Sequence, residues 1–436
     1  METMLAEGLD RKHVGDIASG VASLGFNCVR LTWATFMFTR THQLHASISD
    51  DLRISTVGES LRAHGLGETT LVNVTKHNPF MINLTLVEAY DEVVDALGAA
   101  GLMVVLDNHV SRPQWCCAED DGNGFFGDEH FDPEEWLQGL VAVAKRFRRK
   151  TQVVGMSLRN ELRGQRQSES DWYKYMELGA AKEKLVYEAH WYAFSEGQRH
   201  EWEERSPNRV CADSIARFES KVGFVVLSRR SPAAAPAPLF VSEFGVDQRG
   251  VNRADNRFLA CFLAYAVSRD LDWALWALQG SYYLRKGRPG FDETYGVVDT
   301  QWDQPRNPNF LQTFRLPHQM IKAVKDEDED EDKSSGSSTS IVRVTDSCGS
   351  GSEEGKSHLV NGDESLPAVR RERTSGDSFS RLLGLAEQVE GPSGGHDQAQ
   401  TSNWGNGSYA GDNAMPAEEL IQRLLTTHHP GMPLLG

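Results

Sequence analysis

Along the chain, short apolar runs alternate with stretches in which apolar positions recur at helical spacing. The runs Phe26–Thr32, Leu102–Asp107, Val153–Leu158, Leu185–His190, Leu239–Glu243 and Trp273–Leu278 are mostly near-continuous in apolar residues. Strands of that kind belong to a parallel sheet covered on both faces. Between them, Leu86, Val87, Tyr90, Val93, Val94 and Leu97 share one helical face, and Gly101 is placed to end that helix. Asp132, Pro133 and Glu135 read as N-cap, first-turn proline and capping-box acid. The helix they open has an apolar stripe of Leu137, Leu140, Val141, Ala144 and Phe147. A further helix carries Phe258, Leu259, Phe262, Leu263 and Ala266. Strand and helix in alternation predict an α/β fold with a parallel sheet.

The alternation breaks twice. "RRSPAAAPAP", Arg229–Pro238, reads as a loop. From about Lys325 the pattern stops altogether: "KDEDEDEDK" leads into "SSGSSTS" and then a stretch rich in Gly, Ser, Asp, Glu and Gln. Such a composition buries too little apolar area to offset the entropy of ordering. The expectation is a folded domain over residues 1–324 and an acidic, Ser/Gly-rich tail over 325–436. The tail is expected to be disordered to about Ala414, with a transient helix at "PAEELIQRLLTTHH".

Composition narrows the partners. The 436 residues are 39% hydrophobic and include ten Trp, enough for a sizeable core. A formal charge of −17 argues against nucleic acid or an anionic membrane as the main partner, although much of the acidity sits in the tail. No apolar run approaches the roughly 20 residues of a transmembrane segment. The start, "METMLAEGLDRKH", carries no signal-peptide pattern, so the chain taken literally begins in the cytoplasm. N-x-T sequons at Asn73 and Asn83 point weakly the other way, to a secreted ancestry. The six cysteines lack a zinc spacing. Adjacent Cys116 and Cys117 are candidates to pair with other cysteines in a secreted protein, and they read as structural rather than reactive. The sequence assigns no bridges.

Polar residues gather just past the C-terminal ends of the strands. They are Arg30 in "CVRLTW", His109 in "LDNH", Asn160 and Glu161 in "RNE", His190 and Tyr192 in "EAHWY", Glu243 in "VSEFG", and Trp276 in "WALW". That distribution fits a (β/α)8 TIM barrel, whose chemistry sits on its C-terminal face. A doubly wound sheet would bring a glycine-rich phosphate loop, and none is present. One strand-end Glu is as readily an ion-pair partner as a reactive group. Two, on strands a barrel brings together, suit glycoside hydrolysis, where one carboxyl protonates the leaving oxygen and the other attacks the anomeric carbon or activates water. The acid then needs a raised pKa, from burial or a neighbouring anion. The nucleophile needs donors that keep it ionised, such as Arg30 and Tyr192.

The set "GFNCVRLTW", "LDNH", "SLRNELRG", "EAHWY", "SEFG" and "DWALWALQGSYY" resembles glycoside hydrolase family 5, the cellulase and β-mannanase family. "WCCAEDDGNGFFGD" further resembles a plant cellulase-like branch. The resemblance runs from about Met4 to Leu311. It implies a carbohydrate substrate, no metal, no organic cofactor and a secreted protein. By the same match, Glu161 is the acid/base and Glu243 the nucleophile of a retaining mechanism, with the carboxyls about 5–5.5 Å apart. Asn160 would bond the sugar 2-hydroxyl, and Arg30 and Tyr192 would support Glu243. His109 and His190 would bind sugar or orient the carboxylates, and Trp276 would floor the scissile sugar. Each supporting residue also has an ordinary packing or ion-pair role open to it, and Trp33, Trp115 and Trp191 divide evenly between packing and sugar contact.

Departures from the family are equally legible. A barrel needs eight strands, and six are found. The opening "METMLAEGL" is similar to the segment just after the first strand of the family's barrel. "WYKYMELGA" runs directly into "AKEKLVYEAHWY", so the fifth βα unit is expected to be missing around Ala180–Lys182. This keeps open an alternative: a non-catalytic or unstable truncated isoform with at most weak carbohydrate binding. A metal-dependent hydrolase using His109, His190 and a carboxylate is disfavoured, because no H-x-H or H-E-x-x-H spacing occurs. The sugar, endo or exo action and the oligomeric state are not readable.

Overall fold

The computed structural model describes residues 3–40, 56–164, 184–226 and 238–314. All six expected strands form and all pair in parallel, in two groups of three. β1 (Cys28–Ala34), β2 (Met103–Val110) and β3 (Val153–Ser157) make the first sheet. β4 (Tyr187–Trp191), β5 (Leu239–Phe244) and β6 (Asp272–Leu275) make the second. In both, neighbours in the sheet are neighbours in sequence, the order of a (β/α)8 TIM barrel with a partial set of strands. An antiparallel hairpin, β7 (Ser281–Arg285) and β8 (Arg288–Asp292), comes after β6. The expected missing unit near Ala180–Lys182, the segment Arg229–Pro238 up to its last residue, and the tail from Lys325 lie outside the described residues.

The first sheet is covered by helices whose ends the sequence specifies. In chain order they are α1 (Val14–Ser23), α2 (Thr35–Thr39), α3 (Val57–Ala63), α4 (Glu68–His77), α5 (Leu86–Ala99) and α6 (Pro133–Phe147). Thr85 and Glu88 close a capping box at the start of α5, and Gly101, at φ +77°, turns the chain after its end. The helix buries Leu86, Tyr90, Val93, Val94 and Leu97, as its spacing requires. Asp132 caps α6 by accepting from Glu135 N at 2.7 Å. The Glu135 carboxylate does not complete a capping box. It takes Arg40 Nε and Thr39 Oγ1, each at 2.8 Å, and so ties α6 to α2. The buried face of α6 is Trp136, Gly139, Leu140, Val143, Ala144 and Phe147, leaving Leu137 and Val141 at its margin. Gly139 explains the rotation: a Cβ there would stand 2.9 Å from Thr35 Cγ2, so its bare backbone is where α2 approaches.

The second sheet has its own apolar core, built on α7 (Arg199–Glu204), α8 (Pro207–Val226) and α9 (Arg253–Arg269). Trp191 stacks on Phe218 with centroids 4.3 Å apart, and a Cys211–Cys261 disulfide joins α8 to α9. No ladder joins β3 to β4 among the described residues. Across that seam Ser157 Oγ donates to Glu188 Oε2 at 3.0 Å. The N-terminal segment is anchored to β7, where Tyr283 N donates to Glu7 Oε2 at 2.7 Å and the Tyr283 hydroxyl accepts from Leu9 N at 2.8 Å. No helix among the described residues is long and apolar enough to cross a membrane.

Candidate active site

The polar ends of the strands converge from both sheets. Arg30 on β1 is the hub. Its guanidinium donates to Glu243 Oε2 at 3.1 Å and to Asn160 Oδ1 at 2.8 Å, and pairs with Asp107 Oδ1 at 3.1 Å. Burial alone would weaken its proton, but the charges of Asp107, Glu188 and Glu243 raise its pKa, so it stays cationic. The same contact holds Asp107 down to about 2: burial opposes the anion, and Arg30 and His109 outweigh burial. His109 Nδ1 lies 2.6 Å from Asp107 Oδ2, and its ring stacks on Trp276 at 6.0 Å and 13°.

Glu243 sits at the end of β5, buried, with Tyr192 donating its hydroxyl to Oε1 at 2.5 Å and Arg30 on the other oxygen. Burial and then the Glu243 charge push the Tyr192 phenol well up, so it remains a donor. Gly245 is what lets Trp276 close over this strand end. A Cβ there would stand 2.5 Å from the Trp276 carbonyl, 2.9 Å from Tyr295 and 3.1 Å from Tyr192.

Glu161, past the end of β3, has φ +37°, a region that side chains rarely enter. Arg163 holds the turn by donating Nη1 to the Glu161 carbonyl at 3.0 Å and by pairing with Asp121. The carboxyl is the more open of the two acids, with 36% of its side chain exposed against 11% for Glu243. His190 links them: its Nδ1 is 2.8 Å from Glu161 Oε1 and 3.8 Å from Glu243 Oε2. One atom from each of Glu161, His190 and Glu243 lies within 4.8 Å of the other two.

The raised pKa expected for Glu161 is not what this geometry gives. Burial pushes the carboxyl up, but the His190 hydrogen bond and the charges of His190, His109 and Arg163 hold it below its usual range. Reciprocally, burial disfavours the His190 cation, yet Glu243 and Glu161 together raise its pKa. Both shifts favour the charged form of the group: carboxylate at Glu161, imidazolium at His190.

All eight residues singled out in the sequence fall in this one region, but not with equal contact. Arg30, Asn160, His190 and Tyr192 touch a carboxylate or a direct neighbour of one. His109 and Trp276 form a stacked wall and touch neither Glu161 nor Glu243 through a hydrogen bond among those described. Trp33 and Trp191 are core, whereas Trp115 is half-buried under Arg285, whose guanidinium carbon is 3.6 Å from the ring centre. His109 is not part of any cluster with metal-ligand spacing among the described residues; Glu161–His190–Glu243 and Cys116–Cys117–Glu161 are. Cys116 and Cys117 lie beside Asn160, whose Nδ2 is 3.5 and 3.7 Å from their sulfurs. Four participants escape the sequence reading: Asp107, Glu188, Arg159 and Phe194. Asp107 lies inside "LDNH", so its signal is present. Arg159 braces the end of β3, donating to Asn108 Oδ1 at 3.0 Å and Asn123 O at 2.8 Å. Phe194 stacks on Tyr192 at 4.7 Å and is exposed at the rim.

Two carboxyls lie close together, one braced by a cation and a phenol and the other paired with an imidazole, an arrangement of the kind that two-carboxylate acetal cleavage uses. Comparison with known proteins agrees. Residues 9–182 match the family model described as "Cellulase (glycosyl hydrolase family 5)". A "Glycosyl hydrolase 5 family protein" from Chamaecyparis obtusa is 43% identical over 359 residues, 74% of this chain and 62% of that protein. The "Major extracellular endoglucanase" of Xanthomonas campestris pv. campestris is 26% identical over 179 residues, 40% of this chain and 30% of its own. The chain thus spans less than two thirds of either relative. A solved endocellulase from Pyrococcus horikoshii, in a complex with cellotetraose, is similar over 73% of this chain and 88% of its own, with 16% identity and a TM-score of 0.49. Over residues 9–182 the chain matches glycoside hydrolase family 5, and over 359 residues it is similar to a member of that family.

Proposed function

We propose that this chain hydrolyses β-linked glycosidic bonds in a polysaccharide or glycoside by a retaining mechanism, with residues 1–324 as the hydrolase unit. The observation that carries the reading is the approach of Glu161, His190 and Glu243 to within 4.8 Å of one another. A separation near 5 Å suits direct attack by a carboxylate, whereas an inverting pair needs about 6.5–9.5 Å to admit a water.

In this reading Glu243 is the nucleophile. Its carboxylate attacks the anomeric carbon, the bond to the leaving oxygen breaks, and a glycosyl ester forms. Glu161 delivers the proton to the leaving oxygen. In this reading His190, whose pKa Glu243 and Glu161 raise against burial, holds that proton beside Glu161 before attack. As Glu243 spends its charge on the new bond, it stops favouring the imidazolium, and the proton passes through Glu161 to the departing oxygen. Glu161 then takes a proton from the water that opens the ester. Asn160 addresses the 2-hydroxyl, and the His109–Trp276 stack offers an aromatic face to the sugar. The printed names of the relatives, an endoglucanase and an endocellulase, favour a β-glucan over other polymers as the first substrate to try. The buried Cys211–Cys261 bridge favours an oxidising compartment, in keeping with a secreted protein.

The test is release of reducing sugar from soluble β-glucan, mannan and an aryl β-glycoside. Glu243→Ala should remove turnover, and added azide should restore it on the aryl glycoside as a glycosyl azide of inverted configuration. Unchanged activity in Glu243→Ala would refute the assignment. The second reading, a truncated form without turnover, draws on the absence of a ladder between β3 and β4 among the described residues. A cooperative thermal melt together with turnover would eliminate it.

A further inference from the structure

We propose that Asn83 is an N-glycosylation site, with the first sugar of the glycan lying against the ring of Phe80, and that Asn73 is not one. The inference does not depend on the roles of Glu161 and Glu243. It rests on the reading of the protein as secreted.

Both asparagines stand in an N-x-T sequence, the acceptor pattern for an oligosaccharide in the secretory pathway. The fold separates them. Asn73 lies in the middle of α4, half-buried between Val72 and the fully enclosed Val74. Asn83 lies in the turn between α4 and α5 and is exposed. The carbonyls on either side of it are pinned to the start of α3: Ile82 O accepts from Gly58 N at 3.0 Å, and Leu84 O from Val57 N at 2.8 Å. The backbone of the turn is thus fixed while the Asn83 side chain is left in water. A third sequon, Asn406 to Ser408, lies outside the described residues.

Phe80 singles out this turn. Its ring is left 43% exposed, three residues before the asparagine. Turn bonds from Met81 N to Asn78 O and from Leu84 N to Met81 O, each at 3.0 Å, fold the segment that Phe80 and Asn83 share. One side of the ring leans toward His13, with centroids 5.9 Å apart. A pyranose has one face of C–H groups, which packs on an aromatic ring as other apolar surface does. The first sugar on Asn83 covers the part of Phe80 that the protein leaves in water.

The transfer joins Asn83 Nδ2 to the anomeric carbon of a lipid-pyrophosphate-linked oligosaccharide. The bond from that carbon to the pyrophosphate oxygen breaks, the lipid pyrophosphate leaves with the electron pair, and the amide gives one proton to solvent. The hydroxyl of the sequon belongs to Thr85. In the folded protein it donates to Glu88 Oε2 at 2.9 Å and accepts from Glu88 N at 3.2 Å, closing the capping box of α5. The acceptor is therefore free before α5 closes, and the transfer precedes folding. The fold then keeps the product in water at Asn83. At Asn73 the same product would have to escape a half-buried position in α4, so chains modified there fold poorly and are not secreted.

The experiment expresses the full chain in yeast behind a secretion signal, with Asn83→Gln, Asn73→Gln and Phe80→Ala variants beside it. Peptide mapping after peptide N-glycosidase in heavy-oxygen water marks each glycosylated asparagine as a labelled aspartate. The expected result is label at Asn83 and none at Asn73, with one glycan lost in Asn83→Gln and none in Asn73→Gln. Trimming by an endoglycosidase that leaves the first sugar should keep the melting temperature about 2 °C above that of Asn83→Gln. In Phe80→Ala that gap should close, which isolates the sugar–ring contact as a pairwise effect. An unlabelled Asn83 or a labelled Asn73 would overturn the site, and a gap of equal size with and without Phe80 would overturn the contact. The signal imposes entry into the pathway, so a failure at Asn83 faults the site and not the secreted reading.

Discussion

Replacing Arg30 by Met tests the electrostatic reading of the site most directly. The side chain keeps its length and apolar stem and loses its charge. Two acceptors then lose their donor, Glu243 Oε2 at 3.1 Å and Asn160 Oδ1 at 2.8 Å, and Asp107 Oδ1 loses its ion-pair partner at 3.1 Å. The scale of the loss follows from Asp107. Its pKa falls from 3.8 to about 2 in spite of full burial, a gap worth about 2 kcal/mol, and the cations must first offset the burial that opposes it. Removing one partner of a buried pair costs about 3–5 kcal/mol, against a total stability of about 5–15 kcal/mol. The sign of the pH dependence is fixed as well. In wild type, the depressed Asp107 contributes stability that is present above its ordinary pKa and lost as pH falls toward about 2. Without Arg30, burial raises the pKa of Asp107, so the variant recovers stability as acid protonates it. The difference between the two proteins is therefore expected to be largest at neutral pH and to shrink by about pH 3. Urea unfolding followed by Trp fluorescence across that range measures it, with Arg30→Lys as the charge-retaining control. A variant within about 1 kcal/mol of wild type at neutral pH, or a deficit that does not change with pH, would show that Arg30 does not carry this charge balance.

Two further outcomes concern the seam and the acid pair. Burial raises the pKa of Glu188 against the opposing charge of Arg30, and its Oε1 has no hydrogen-bond partner among the described residues. Its stability contribution is complete below the ordinary carboxylate pKa and is lost as pH rises through the folded value. Glu188→Gln should match wild type at acid pH, lack that slope and so be at least as stable at neutral pH, while Glu188→Ala should cost about 2 kcal/mol or more through the orphaned Ser157 hydroxyl and the void; melts at several pH values decide. For His190, whose pKa is raised with burial opposing and Glu243 and Glu161 prevailing, the contribution is full below the unfolded pKa and fades as pH rises through the folded value. His190→Gln should therefore be most destabilising on the acid side of neutrality, and a deficit that grows with alkaline pH would contradict the paired geometry.

Much of this fold is legible in the sequence alone, for physical reasons that differ by element. The parallel strands announce themselves because both faces are buried, which leaves no alternation to misread. α5 carries its own start and stop in Thr85, Glu88 and Gly101. For α6, the spacing places the buried face one position away from where it lies. Helical spacing alone does not report that α2 docks at Gly139, and that contact decides which way the helix turns. At the site, the residue types are readable while their partners are not. "LDNH" does not reveal that Asp107 serves both Arg30 and His109, because those contacts span β1 and β2. The direction of the Glu161 pKa shift escapes the sequence for a related reason. The cation that sets it, His190, stands on the facing sheet, 29 residues later in sequence.

Among the described residues, a partial set of strands still brings these side chains together. Glu161 and Asn160 belong to the first sheet, and Glu243, His190 and Tyr192 to the second. No ladder fixes β3 against β4 among the described residues, so the separation of the two acids is set by side chains. Arg30 reaches from β1 to Glu243, His190 reaches back to Glu161, and Ser157 meets Glu188 below them. These are charge-assisted or buried hydrogen bonds, each worth on the order of 1–3 kcal/mol and short-ranged. The groups proposed to perform the reaction therefore also hold the two sheets in register. In a complete barrel the backbone would carry that load, and an active-site substitution could be nearly free of stability cost. Here the two properties are coupled, so substitutions at Arg30 and His190 are expected to lower melting temperature and turnover together.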